Sequence, residues 1–169
     1  MKLKFLVDED FVNFKEPSMF LGFPECSFKC GVDKCHNLML RNEPDIEVSK
    51  EEICERYLEN PITKAFVFGG LEPMDTMLEV ISLVDTIRNK YQILDPIVIY
   101  TGYEEEELVR GYRTGAEDNE ILANLWEQLL EYGNLYIKFG RYIEELDSYH
   151  NDLLGVTLAS KNQTVVYYK

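Results

Sequence analysis

The chain predicts an α/β domain built on a parallel sheet, and three observations lead there. Short apolar runs alternate with amphipathic segments of helical period, as parallel strands alternate with crossover helices. Glycine, threonine or clustered cysteine follows each of the four best apolar runs, where the chain leaves a strand. The length, 169 residues, suits one domain with a sizeable core (1–169). It falls short of the about 250 residues typical of a closed eight-stranded barrel. The expected architecture is therefore a single-domain, incomplete and open (β/α) barrel of parallel strands.

Met19-Phe20-Leu21-Gly22-Phe23 reads as the first buried strand, and a cysteine-rich loop follows it. Ser49-Lys-Glu-Glu52 is a capping box, in which the Ser49 hydroxyl and the Glu52 carboxylate each satisfy a free backbone N–H. Ile53, Cys54, Tyr57 and Leu58 then share a helical face, and Pro61 stops that helix. Ala65-Phe66-Val67-Phe68 is the next strand and runs into Gly69-Gly70. Asp75 is the expected N-cap of a helix whose apolar stripe is Met77, Val80, Ile81, Val84 and Ile87. Ile97-Val98-Ile99-Tyr100 is a third strand, ended by Thr101-Gly102. The acids from Glu104 to Glu107 supply the first turn of a solvated helix. A further helix is expected over about 119–132, its face made of Ile121, Leu122, Leu125, Trp126, Leu129 and Leu130. Leu135-Tyr136-Ile137-Lys138 is the fourth strand, closed by Gly140, and 154–168 reads as extended. In parallel α/β folds the loops at the carboxyl ends of the strands hold the site. The cysteine loop, Gly69-Gly70, Thr101-Gly102 and Gly140 should thus converge.

Composition bounds the function. Apolar content of 46% with 12% aromatics is that of a globular protein, not a disordered one. No apolar run reaches the length of a membrane span, and the apolar start Phe5-Leu6-Val7 is too short for a signal-peptide core. A reducing, cytoplasmic location is the expectation, in which clustered cysteines serve metals rather than disulfides. The net charge of −14 argues against nucleic acid, which is bound by concentrated lysine and arginine. This acidity reads as a solvated surface, with a face for a basic partner protein as the sharper alternative. There is no internal repeat, low-complexity segment or linker.

Cys26, Cys30 and Cys35 crowd one loop, with three and four residues intervening. Three thiolates suit an iron–sulfur cluster with one iron left without a protein ligand. A zinc site completed by His36, or unrelated thiols, are the alternatives. Direct succession to Cys35 makes joint ligation by His36 awkward and a neighbouring or surface role the expectation. Cys54, on an apolar helix face, reads as a core residue, and His150 as exposed. Gly69 and Gly70 let backbone approach a ligand closely, and the Glu72 carboxylate beside them can accept from an ammonium group. A tight strand-to-helix turn is the plainer reading. Thr101 and Gly102 suit ribose or carboxylate contacts, or form an ordinary turn. Neither GxGxxG nor a Walker pattern is present, and no catalytic acid, base or nucleophile stands out.

Together these motifs resemble the radical S-adenosylmethionine (SAM) superfamily, most of all the small activating components of anaerobic ribonucleotide reductase. The resemblance is carried by the cysteine loop ending Cys35-His36-Asn37, by Gly69-Gly70-Leu71-Glu72-Pro73 and by Tyr100-Thr101-Gly102-Tyr103. Gly140-Arg141-Tyr142-Ile143 and Ser160-Lys-Asn-Gln163 extend it over most of the chain. It implies a 4Fe–4S cluster on Cys26, Cys30 and Cys35, whose open iron chelates the amino and carboxylate groups of SAM. Gly69, Gly70 and Glu72 would meet the methionine ammonium, and Thr101 and Gly102 the ribose or methionine part. Lys138 is a candidate for the same pocket. The implied reaction is reductive cleavage of SAM to methionine and a 5′-deoxyadenosyl radical. The radical would take a hydrogen atom from a backbone glycine of a glycyl-radical partner enzyme, with an external electron donor. A radical SAM enzyme acting on a small molecule or peptide, and a non-catalytic iron–sulfur or zinc protein, are the alternatives. The chain departs from the family's CxxxCxxC by two extra residues before Cys35. It has Lys34 in place of an aromatic, and Leu71 interrupts GGEP. Adenine contacts are therefore not carried over.

Overall fold

A computed structural model describes residues 1–110 and 116–169, with side chains of the second segment described from 120 onward. In chain order the elements are β1 (Lys2–Leu3), β2 (Phe5–Asp10), β3 (Ser18–Phe23), β4 (Ile46–Glu47), α1 (Lys50–Glu59), β5 (Ala65–Gly70) and α2 (Met77–Asp85). They continue with β6 (Ile97–Tyr100), α3 (Glu105–Arg110), α4 (Ala116–Glu131), β7 (Leu135–Phe139), β8 (Tyr149–Asn151), β9 (Val156–Leu158) and β10 (Thr164–Tyr168).

The central sheet runs β10-β7-β6-β5-β3-β2. Its four inner strands, β3, β5, β6 and β7, are mutually parallel, and each is one of the apolar runs read from the sequence. β2 and β10 add antiparallel edges on either side. The fold is the expected incomplete barrel of parallel strands, a largely parallel six-stranded sheet with an antiparallel strand at each border. β1 pairs with β4, and β8 with β9, as small separate ribbons. Among the described residues no helix is long and apolar enough to cross a membrane.

Alternation along the strands divides the interior into two cores. Met19, Leu21, Phe66, Phe68, Ile97, Ile99, Leu135 and Ile137 face the helices, meeting Ile53, Cys54 and Tyr57 of α1, the α2 stripe, and Trp126 and Leu129 of α4. Ala65, Val67 and Val98 face the other way, under Phe14, Leu154 and Leu158. Phe20, Tyr100 and Tyr136 border this second cluster. On that side the sheet is closed by a loop and a ribbon rather than by helices.

Ser49 caps α1, its hydroxyl accepting from the Glu52 N–H at 3.0 Å. All five residues of the α2 stripe are buried, and Cys54 is a core residue. Leu58 and Ile121 were expected inside, yet they are 58% and 57% exposed. Each lies roughly a quarter turn from the centre of its helix's apolar arc, so the buried stripes are narrower than their apolar content. Asp75 is not the cap of α2. A single 3-10 turn, Pro73–Thr76, precedes that helix and is capped instead by Glu72, which accepts from Met74 N–H.

Candidate active site

The carboxyl ends of the parallel strands do converge, and glycine sets how closely. Gly70 has φ +86°, and a Cβ there would stand 2.6 Å from the Gly22 Cα on the neighbouring strand. A side chain would therefore strain the backbone and split β5 from β3. Just beyond, Leu71 N–H and Glu72 N–H donate to the carbonyls of Phe23 and Glu25, at 3.2 and 2.8 Å, continuing the pairing of the two chain segments past the sheet.

Glu72 is buried. Its Oε1 accepts from the Thr101 hydroxyl at 2.8 Å and from Met74 N–H at 3.0 Å, and its Oε2 from Gly102 N–H at 2.8 Å. Burial pushes this carboxyl up to about 7, against the opposing pull of those donors. Thr101 in turn accepts from Tyr103 N–H at 3.0 Å. The turn after β5 and the turn after β6 are thus one buried hydrogen-bonded unit.

A cavity of about 520 Å³, in the range of small-ligand pockets, opens on this unit. Gly69, Gly70, Thr101, Gly102 and Lys138 line it; Glu72 stands behind the wall, engaged by its three donors. Lys138 is buried and its Nζ donates to the Gly140 carbonyl at 2.9 Å. Burial lowers this ammonium to about 8, while Glu72 acts to raise it. Phe5 and Phe20, in an edge-to-face pair with centroids 5.0 Å apart, supply an apolar wall. Tyr100 donates its hydroxyl proton to the Asn13 carbonyl at 2.6 Å where both residues line the space.

The cysteine loop lies alongside. Cys26, Cys30 and Cys35 are each partly exposed and do not themselves line the cavity, but the chain that follows them does, through His36, Asn37, Met39 and Leu40. Asn37 Nδ2 donates to the Gly70 carbonyl at 2.8 Å and so fastens this end of the loop to β5. At the other end Asp75 accepts from Ser27 N–H at 2.5 Å and from the Tyr103 hydroxyl at 2.5 Å. Cys26 Sγ accepts from Phe28 N–H at 3.2 Å. Burial pushes the Cys26 thiol up to about 12, and burial together with the neighbouring Cys35 raises Cys30.

Three cysteine thiols on one loop are a donor set that suits an iron–sulfur cluster. Among the described residues no three His, Cys, Asp or Glu side chains converge as ligands of one metal ion. His36 does not complete a zinc set; it is exposed and its ring packs against Tyr142, centroids 4.1 Å apart. His150 is exposed, 3.8 Å from Asp152. The two loop anchors escaped the sequence reading. Asn37 had only its place after Cys35-His36 as a signal, and Asp75 looked like a helix cap.

Fold and site together define a partial-barrel protein that carries a three-thiol loop and a glycine-walled cavity at the carboxyl ends of its parallel strands. Residues 18–165 match the family described as the 4Fe-4S single cluster domain, and the chain belongs to that family, a radical SAM family typical of glycyl-radical activating enzymes. The protein is accordingly a radical SAM enzyme whose cofactors are a 4Fe–4S cluster and SAM. No curated protein and no solved structure matches the chain.

Proposed function

We propose that Cys26, Cys30 and Cys35 hold the cluster, and that the enzyme activates a glycyl-radical partner of the anaerobic ribonucleotide reductase type. The observation that carries this reading is the cavity of about 520 Å³ bordered by the chain leaving Cys35 on one side and by the Gly69–Gly70 and Thr101–Gly102 turns on the other. When bound, the cluster and SAM supply one-electron reductive cleavage to methionine and a 5′-deoxyadenosyl radical, the electron coming from an external donor.

The chain's own residues bind and orient. Gly69 and Gly70 bring bare backbone to the amino-acid end of SAM. Thr101 and Gly102, held by Glu72, present a fixed edge for its ribose or methionine part. In this reading Glu72 serves the ammonium site through the wall it holds. Lys138 gives the wall a cation suited to the amino-acid carboxylate. Phe5 and Phe20 keep one side apolar, and radical chemistry needs water and stray hydrogen donors excluded. A cavity of this size suits one cofactor, so the hydrogen donor arrives from outside. A glycine-bearing loop of a partner protein could close the open side as it enters.

Mixing the reconstituted enzyme, SAM and reductant with a glycyl-radical enzyme is expected to give a glycyl EPR signal, with the two proteins co-purifying. Robust turnover of a free small molecule, without that signal, would count against the reading.

A further inference from the structure

We propose that Asp75 is a positioning residue that sets where Cys26 is presented to the cluster. This rests on the reading of Cys26, Cys30 and Cys35 as the ligands. Asp75 sits on the turn between β5 and α2, where a cap for α2 was expected and none is made by its side chain. Its carboxylate instead spans three segments. One oxygen accepts from the backbone N–H of Ser27, the residue after Cys26, at 2.5 Å. The other accepts from the hydroxyl of Tyr103, past the end of β6, at 2.5 Å. Tyr103 is 2% exposed, and its backbone N–H is held by Thr101. Its hydroxyl also lies 3.4 Å from Ser27 Oγ. A short chain of contacts therefore runs from the buried Glu72–Thr101 unit, through Tyr103 and Asp75, to the amide beside Cys26.

The contact matters because it joins the loop one residue past Cys26 to the turn after β5, beside the Glu72 N–H bond to the Glu25 carbonyl one residue before it. The 3-10 turn Val32–Lys34 buries no residue. Locally, Cys26 Sγ accepts from the N–H of Phe28, itself at φ +51°, and Arg41 stands over the Phe28 ring at 5.2 Å. An anion is the right partner for this task. A carboxylate accepts from an amide and a phenol at once, and hydrogen bonds to a charged acceptor are stronger than neutral ones. The other end of the loop is fastened separately by Asn37 to Gly70, so loss of Asp75 should free the Cys26 end alone.

The test compares Asp75→Ala, Asp75→Asn and Tyr103→Phe in the full chain. In the metal-free protein, Asp75→Ala is expected to speed hydrogen exchange at the Ser27 amide and alkylation of Cys26 by about tenfold, the loss of one hydrogen bond to a charged group. Exchange at Asn37 should not change. Iron bound on anaerobic reconstitution should fall to less than half, and the EPR signal of the reduced cluster should broaden or shift. Asp75→Asn keeps one carbonyl acceptor for Ser27 and should recover most of the iron. Tyr103→Phe removes the second donor and should give a smaller change in the same direction. If Asp75→Ala proves too unstable to purify, Tyr103→Phe carries the test. Wild-type exchange at Ser27, wild-type iron and an unchanged EPR signal in the variants would overturn the proposal. Full iron in a Cys26→Ser variant would instead show that the ligand assignment had failed, whatever Asp75 does.

Discussion

The two halves of the site are built on different terms. The wall from Gly69 to Tyr103 is finished by the polypeptide alone. Its carboxylate is buried with three protein donors, its hydroxyl is engaged, and Gly70 lies against neighbouring backbone. The loop from Cys26 to Cys35 is held at its ends, by Glu72 N–H on the Glu25 carbonyl and Asp75 on the Ser27 N–H at one and by Asn37 on Gly70 at the other, and its three cysteines stay partly exposed. Burial leaves Cys26 and Cys30 favouring the protonated thiol, so as cluster ligands they would release protons on binding. On the proposed assignment the difference divides the tasks: the fold would prepare the SAM side in advance, and binding of the cluster would complete the order of the loop.

The largest effect that would break this comparison comes from the cysteines themselves. Cys26→Ser, Cys30→Ser or Cys35→Ser should abolish cluster assembly, measured as iron and sulfide per chain, while leaving the metal-free melting temperature within a few degrees of wild type. Cys54→Ala should do the reverse, keeping the cluster and costing about 1–2 kcal/mol through its buried position. A Cys54 variant without iron would move a ligand out of the loop and undo the contrast.

Gly70→Ala should damage the finished wall most. Positive φ and a Cβ within 2.6 Å of the Gly22 Cα are expected to cost about 4 kcal/mol in denaturant unfolding of the metal-free protein. Gly31→Ala also falls at positive φ, +91°, but in open space; backbone strain alone should cost it about 1 kcal/mol.

Glu72 sharpens the account through pH. Its folded pKa of about 7 lies above the ordinary 4.5. The stability tied to it is therefore full below pH about 4.5 and is lost as pH rises through about 7. The shift corresponds to roughly 3 kcal/mol across that window. Subtracting the stability–pH curve of Glu72→Gln from that of the wild type should expose this slope; parallel curves would show that burial does not raise this carboxyl as described. The smallest effects belong to Leu58→Gln and Ile121→Gln, expected within about 0.5 kcal/mol of wild type by thermal melting because both side chains are exposed.

What the sequence made legible follows the same division. The four parallel strands and the apolar stripe of α2 were readable because hydrophobic period and burial coincide there. Convergence of the four loops followed from parallel topology alone. β2 was missed because Phe5-Leu-Val-Asp-Glu-Asp10 carries acids where an alternating pattern would place apolar residues, and its pairing with β3 depends on a partner strand. Asp75 was misread because its partners, Ser27 and Tyr103, are remote in sequence, whereas the helix it precedes is adjacent. Leu71, not Glu72, lines the cavity, and the Glu72 carboxylate turns back to Thr101 and Gly102, partners remote in sequence.

Anaerobic reconstitution with iron and sulfide, followed by reduction in the presence of SAM and assay for 5′-deoxyadenosine, tests the central claim most directly. The account predicts about four irons per chain, a reduced-cluster EPR signal perturbed by SAM, and 5′-deoxyadenosine formed only when all three loop cysteines are present. One zinc and no iron, or a full cluster that leaves SAM uncleaved, would contradict it.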